Sequence, residues 1–171
     1  IIMNSARTLY LILNTIIIIL LVGIGLGVFF YVMLLFGIEQ DVVGVDMDKA
    51  NFKTKAKHTF YVILRLGVYA IFIKALWNLR MVIKLFLNKD FYNNVLINAL
   101  ATSGKLMVIA GIFRWCIDAI SDVFFKFRYT IGLSEKTLVC LFIVAIGLFL
   151  MLMSTVLRDT KSIKEENDLT I

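Results

Sequence analysis

Arg114, Asp118 and Asp122 stand at i, i+4 and i+8 at the edge of an otherwise apolar stretch, so on a helix they share one face. Arg65 lies at a matching depth in the preceding stretch, about two turns inside its end. An ionisable side chain at a bilayer centre costs about 2.5–3.5 kcal/mol on insertion scales, so such groups face a partner or a wet cavity. An Arg65–Asp118 pair, with Arg114 and Asp122 adjoining, admits two readings. It is either an ion or ligand vestibule, or a neutralising clasp between two helices. Lys74 and Lys105 are deeper still by counting and have no obvious carboxylate partner within their own stretches. Their long stems can carry the ammonium toward the headgroups, which is the reading preferred here.

Cys116 and Cys140 sit near the facing ends of the third and fourth apolar stretches and are matched in depth by that count. Either they bridge, if that side of the membrane is oxidising, or they stay as unpaired membrane cysteines. The sole histidine, His58, is in a polar connection, and two cysteines on different helices make no zinc spacing. There is no G-x-S-x-G, H-E-x-x-H or P-loop pattern. The expectation is a protein that is not an enzyme and holds no metal or cofactor.

The elements that position these residues are four apolar stretches, roughly 10–38, 59–83, 96–120 and 138–157. Each approaches or exceeds the roughly 20 residues a helix needs to cross about 30 Å of hydrocarbon. With 61% hydrophobic residues and a mean hydropathy of +0.92, the chain lies outside the usual range of water-soluble domains. The expected fold is all-α: one four-helix transmembrane domain over 1–171, with a short polar tail, 158–171. The first stretch is charge-free over far more than the roughly 7–15 residues of a signal-peptide core, so a retained anchor is expected. The formal charge of +6 comes from Lys and Arg that flank or interrupt apolar helices, where they meet lipid phosphates. The lipid bilayer is therefore the expected partner, and direct nucleic-acid binding is not.

The first and fourth stretches are free of charge and read as lipid-facing walls, whereas the second and third carry the polar groups. Gly23 and Gly27 make a G-x-x-x-G step that permits close helix approach. Ala101, Gly104, Val108 and Gly111 follow helical spacing and read as a packing seam. No proline and no internal repeat is present, which weakens an inverted-repeat carrier reading. Lys and Arg divide equally between the two sides, so positive charge alone does not orient the chain.

Between the third and fourth stretches, Phe125 to Ile131 alternates apolar and polar residues, the period of a half-buried strand. Val43 to Asp48 alternates more weakly, and Asp46 and Asp48 could face Lys126 and Arg128. A small two-stranded β cap outside the bilayer is expected from these loops, the alternative being an interfacial aromatic belt.

The carboxyl-terminal run Lys161, Ser162, Ile163, Lys164, Glu165, Glu166, Asn167, Asp168, Leu169, Thr170, Ile171 resembles the closing signature of a family of bacterial four-helix membrane proteins of unknown function. The approach to the third stretch, Asn88 to Asn94 followed by the Gly104 segment, is similar to the family's Phe and Asn element before a glycine-bearing span. It departs from the family where Tyr92, Asn93 and Asn94 replace acidic residues. The resemblance implies an inner-membrane protein with both termini in the cytoplasm and no established enzyme activity. It also implies a partner, since members are often encoded beside a small Cro-like helix-turn-helix regulator. Glu165, Glu166, Asn167, Asp168, Leu169, Thr170 and Ile171 then form a candidate docking tail, acidic and apolar, suited to a groove or to a basic protein. The expected function is non-enzymatic protein interaction, sensing or tethering, of such a regulator or of another membrane protein. A small permease or channel subunit using the two polar helices is one alternative, and a bacteriocin or peptide immunity protein is another.

Overall fold

With no proline in the chain, nothing removes a backbone donor inside any apolar stretch, and each becomes one uninterrupted helix. The computed structural model describes residues 2–35, 52–88, 93–126 and 135–168. They form α1 (Ile2–Leu35), α2 (Phe52–Leu87), α3 (Asn94–Lys126) and α4 (Glu135–Asp168). At 33 to 36 residues each, the helices are about 50 Å long and outreach a hydrocarbon layer. Within them Ala6–Met33, His58–Leu87, Asn94–Ser121 and Glu135–Asn167 are long and apolar enough to cross a membrane. The chain is a multi-pass membrane protein.

Local chemistry caps the start of α3 and satisfies most of the described hydroxyls. Asn93 caps α3, its Oδ1 accepting from the Val95 amide at 2.8 Å. Thr15, Thr102, Thr155 and Thr160 each donate to the carbonyl four residues back, which satisfies those hydroxyls within their own helices, whereas the fully buried Ser103 hydroxyl has no hydrogen-bond partner. The large apolar side chains point outward: Leu11, Ile19, Phe60 and Phe142 are each more than 60% exposed. In water that surface would be an aggregation liability, and against lipid it needs no cover.

Consecutive helices run antiparallel, and the packing tightens along the chain. Among the described residues the α1 backbone comes close to that of α2 alone, with two polar ties near its ends, while Leu13 and Ile17 join a buried cluster with Ala75 and Leu76 of α2 and Met107 of α3. Arg80 donates to the Tyr10 hydroxyl from Nε at 3.1 Å and from Nη2 at 2.9 Å, while Tyr31 donates to Thr59 Oγ1 at 2.8 Å. α2 and α3 pack through Val68, Ala110 and Ile117 and, further along, Val82, Leu96 and Leu100.

The α3–α4 contact is the most extensive. A Cβ on Gly104 would lie 2.6 Å from the Gly147 carbonyl oxygen, and one on Gly147 would lie 2.7 Å from that of Gly104. A Cβ on Gly111 would lie 3.1 Å from the Cys140 carbonyl oxygen. Ser154 Oγ donates to the Ile97 carbonyl at 2.8 Å on the same seam. The levels Ile97/Ser154, Gly104/Gly147 and Gly111/Cys140 recur every heptad on both helices, the period of a shallow left-handed wrap. Val108 of the expected stripe packs on Gly147, and Ala101 is half-buried. Nothing lies within 4 Å of a Cβ placed on Gly23, Gly25 or Gly27, so the G-x-x-x-G face of α1 is open.

The expected β cap falls largely on residues 36–51 and 127–134, outside the described ones. Phe125 and Lys126 are the exception, and there the strand reading gives way: both close α3 as helix. Apolar–polar alternation over two residues is also compatible with a helical turn, and the preceding turns of α3 carry the pattern onward.

Candidate functional site

Helical register brings the polar groups of α2 and α3 together. Tyr61, Arg65 and Tyr69 recur every four residues along one face of α2, and antiparallel packing sets them against Arg114 and Asp118. Asp118, only 9% exposed, is the hub. Its Oδ2 accepts from Arg114 Nε at 2.8 Å, its Oδ1 accepts from the Tyr61 hydroxyl at 3.3 Å, and Arg65 Nη2 lies 3.8 Å from Oδ1. Arg114 Nη1 also donates to the Tyr69 hydroxyl at 3.1 Å. Each guanidinium stands over a tyrosine ring, Arg65 over Tyr61 at 5.4 Å and Arg114 over Tyr69 at 5.7 Å.

The structure thus brings Arg65, Arg114 and Asp118 together, while the side chain of Asp122 lies outside the described residues. One carboxylate is shared by two guanidiniums, and Arg65 Nε is buried without a hydrogen-bond partner. Tyr61 and Tyr69 were missing from the sequence reading. Their spacing of four on either side of Arg65 is the signal that marks them.

Beside this cluster, a crevice of about 400 Å³ reaches into the bundle. Its inner wall is apolar, with Leu20 of α1, Phe72 of α2, Ala110 of α3 and Ile143 of α4. Its other end carries Tyr69, Arg114, Asp118, Glu135 and Lys136. The backbones of α1 and α4 make no close approach among the described residues, and the crevice lies between them. Lys74 and Lys105 are exposed on the outside of the bundle, away from this cluster.

Cys116 and Cys140 do not bridge: both thiols are free. Counting from the ends of the apolar stretches gives a match in depth, but α3 runs on as helix to Lys126, ten residues past Cys116, whereas Cys140 lies only five residues into α4. The seam pairs Cys140 with Gly111, so Cys116 is offset by five residues, about 7.5 Å along the axis. A disulfide needs α-carbons within roughly 4.4–6.8 Å.

At the opposite end of the bundle, the candidate tail continues α4 as helix through Asp168. Glu165, Glu166 and Asn167 are exposed, whereas the Asp168 side chain and Leu169, Thr170 and Ile171 lie outside the described residues. Lys161 anchors the start of the tail, donating to Asn94 Oδ1 at 2.7 Å and standing 3.5 Å from Glu165.

Residues 42–171 match the model of a family described as a protein of unknown function, DUF2975. The chain belongs to that family, and the matched part holds α2, α3 and α4 but not α1. No curated protein and no solved structure matches it.

Proposed function

We propose that this member of the DUF2975 family is a non-enzymatic membrane protein that acts by protein interaction, presenting the far end of α4 to a partner. The observation that carries this reading is the continuity of α4. One unbroken helix starts at Glu135 and Lys136, on the polar end of the crevice, and ends about 50 Å away in a charged segment that is mostly exposed over 158–167. The first part is fixed to α3 by glycine contacts at backbone distance, so a shift at the crevice moves α4 and its extension as a rod. A sensor or tether needs this mechanical link.

The partner side of the reading rests on the tail's chemistry and on the family resemblance. An acidic and apolar ending beyond a helix fits a basic or grooved partner, of which a helix-turn-helix regulator in the cytoplasm is the proposed case, with another membrane protein as the alternative. That places both termini in the cytoplasm and the protein in a bacterial inner membrane. Truncation after Ser162 is expected to abolish co-purification of the partner from mild detergent while leaving the bundle folded. Unchanged co-purification from the truncated chain overturns the reading.

A small permease subunit is the second reading, favoured by Arg114 and Asp118 in the crevice wall. Ion or solute flux into vesicles that carry the purified protein, altered by Asp118→Asn, would put it first.

A further inference from the structure

We propose that the crevice between α1 and α4 is a binding site for an acyl chain bearing an anionic head, a carboxylate or a phosphate. This goes beyond the tail reading and rests on different residues.

The crevice is itself amphipathic along its length. Leu20, Phe72, Ala110 and Ile143 line the inner part, and polar groups gather toward the end where α4 begins. From Glu135 to Ile143 the α4 wall spans about 12 Å, enough for a substantial length of hydrocarbon. A cavity of about 400 Å³ with apolar walls and a few convergent polar groups is of ligand size. Because the α1 and α4 backbones make no close approach among the described residues, a chain can enter sideways from the lipid by displacing side chains, without unpacking α2, α3 or α4.

The sign of the head follows from which polar atoms are already engaged. Asp118, the buried acceptor, is met by Arg114 and Tyr61 and stands near Arg65, so its capacity is largely taken. Arg114 has five N–H donors, of which the one on Nε and one on Nη1 are engaged, leaving the second on Nη1 and both on Nη2. Tyr69 accepts from Arg114 and keeps its own hydroxyl proton to give, and Lys136 brings an exposed ammonium on the first turn of α4. The positive end of the α4 dipole lies at the same place, where the Glu135 carboxylate also belongs. The lining holds two cations, Arg114 and Lys136, and two carboxylates, Asp118 and Glu135; Arg65 beside Asp118 tips the local balance to one positive charge, and the head that fits carries negative charge.

The test uses the full chain in neutral detergent or in phosphatidylcholine nanodiscs, with a photoreactive fatty acid as one probe. Phosphatidylglycerol bearing the same photoreactive chain is the other. Labelling is expected on crevice residues such as Phe72 and Ile143 in preference to outer-wall residues such as Phe142 and Leu148. Dodecanoate is expected to compete, and dodecanol to compete far less. Arg114→Gln should weaken competition by the carboxylate about tenfold, as for loss of one charge-assisted hydrogen bond. Lys136→Gln, at an exposed position that folding does not depend on, should weaken it in the same direction. Labelling by either probe supports the site, and the probe that labels identifies the source as free fatty acid or phospholipid. Labelling spread evenly over the outer faces, equal competition by the alcohol, or indifference to both substitutions overturns the proposal. None of these results depends on capture of a partner by the tail.

Discussion

Removing the charge of Asp118 is the sharpest perturbation of the α2–α3 interface. Asp118→Asn keeps the shape and one acceptor for Arg114 Nε, now 2.8 Å away, but leaves Arg65 and Arg114 as two cations without a counter-ion. Breaking a buried ion pair from one side costs about 3–5 kcal/mol in soluble proteins. Here the Arg65 side chain is 36% exposed and that of Arg114 22%, so both can turn toward water or headgroups. Polar contacts between membrane helices also average only about 0.6 kcal/mol. A loss of about 2 kcal/mol is therefore expected, between those limits. Arg65→Gln alone should fall within about 0.5 kcal/mol of the parent, because the Arg114–Asp118 pair remains one to one. The double variant Arg65→Gln with Asp118→Asn should recover about 1 kcal/mol of the loss, a coupling that only contact explains. Unfolding by sodium dodecyl sulfate in mixed micelles, followed by circular dichroism, reads all three. A parent-like Asp118→Asn, or a double variant no more stable than the single one, refutes the clasp.

The seam between α3 and α4 gives two further tests by the same unfolding assay. Gly104→Ala drives a methyl to 2.6 Å from a backbone oxygen and should cost about 1–3 kcal/mol, whereas Gly23→Ala meets nothing within 4 Å and should be neutral or slightly stabilising; equal effects at the two sites would contradict the packing. Ser154→Ala loses the 2.8 Å bond to the Ile97 carbonyl and should cost about 0.5–1.5 kcal/mol, with Thr155→Ala, whose hydroxyl bonds within its own helix, costing less.

The four helices were legible because lipid imposes one dominant rule, an apolar length, and the residues obey it. The proximity of Arg65 to Asp118 was legible too, since depth and a four-residue step decide which side chains can meet. What escaped depends on rotation and register between helices. The heptad of Cys140, Gly147 and Ser154 on α4 is visible as spacing, yet only its fit to Ile97, Gly104 and Gly111 shows that it sets the register. The same register, five residues from the one expected, separates Cys116 from Cys140. Tyr10 and Arg80 are distant in sequence and carry no shared spacing, so their bond could not be anticipated. The crevice is a gap between helices, and gaps leave no mark on composition.

The uneven packing of the helices has a consequence for biogenesis. α1 precedes the other three helices, is the most apolar of the four and has almost none of its span covered, so it is at home in lipid without them. α2 follows with a guanidinium in its wall, and the carboxylate that answers it arrives only with α3. Arg65 therefore meets Asp118 only once α3 has packed on α2, which makes that pairing a step the bundle cannot complete early.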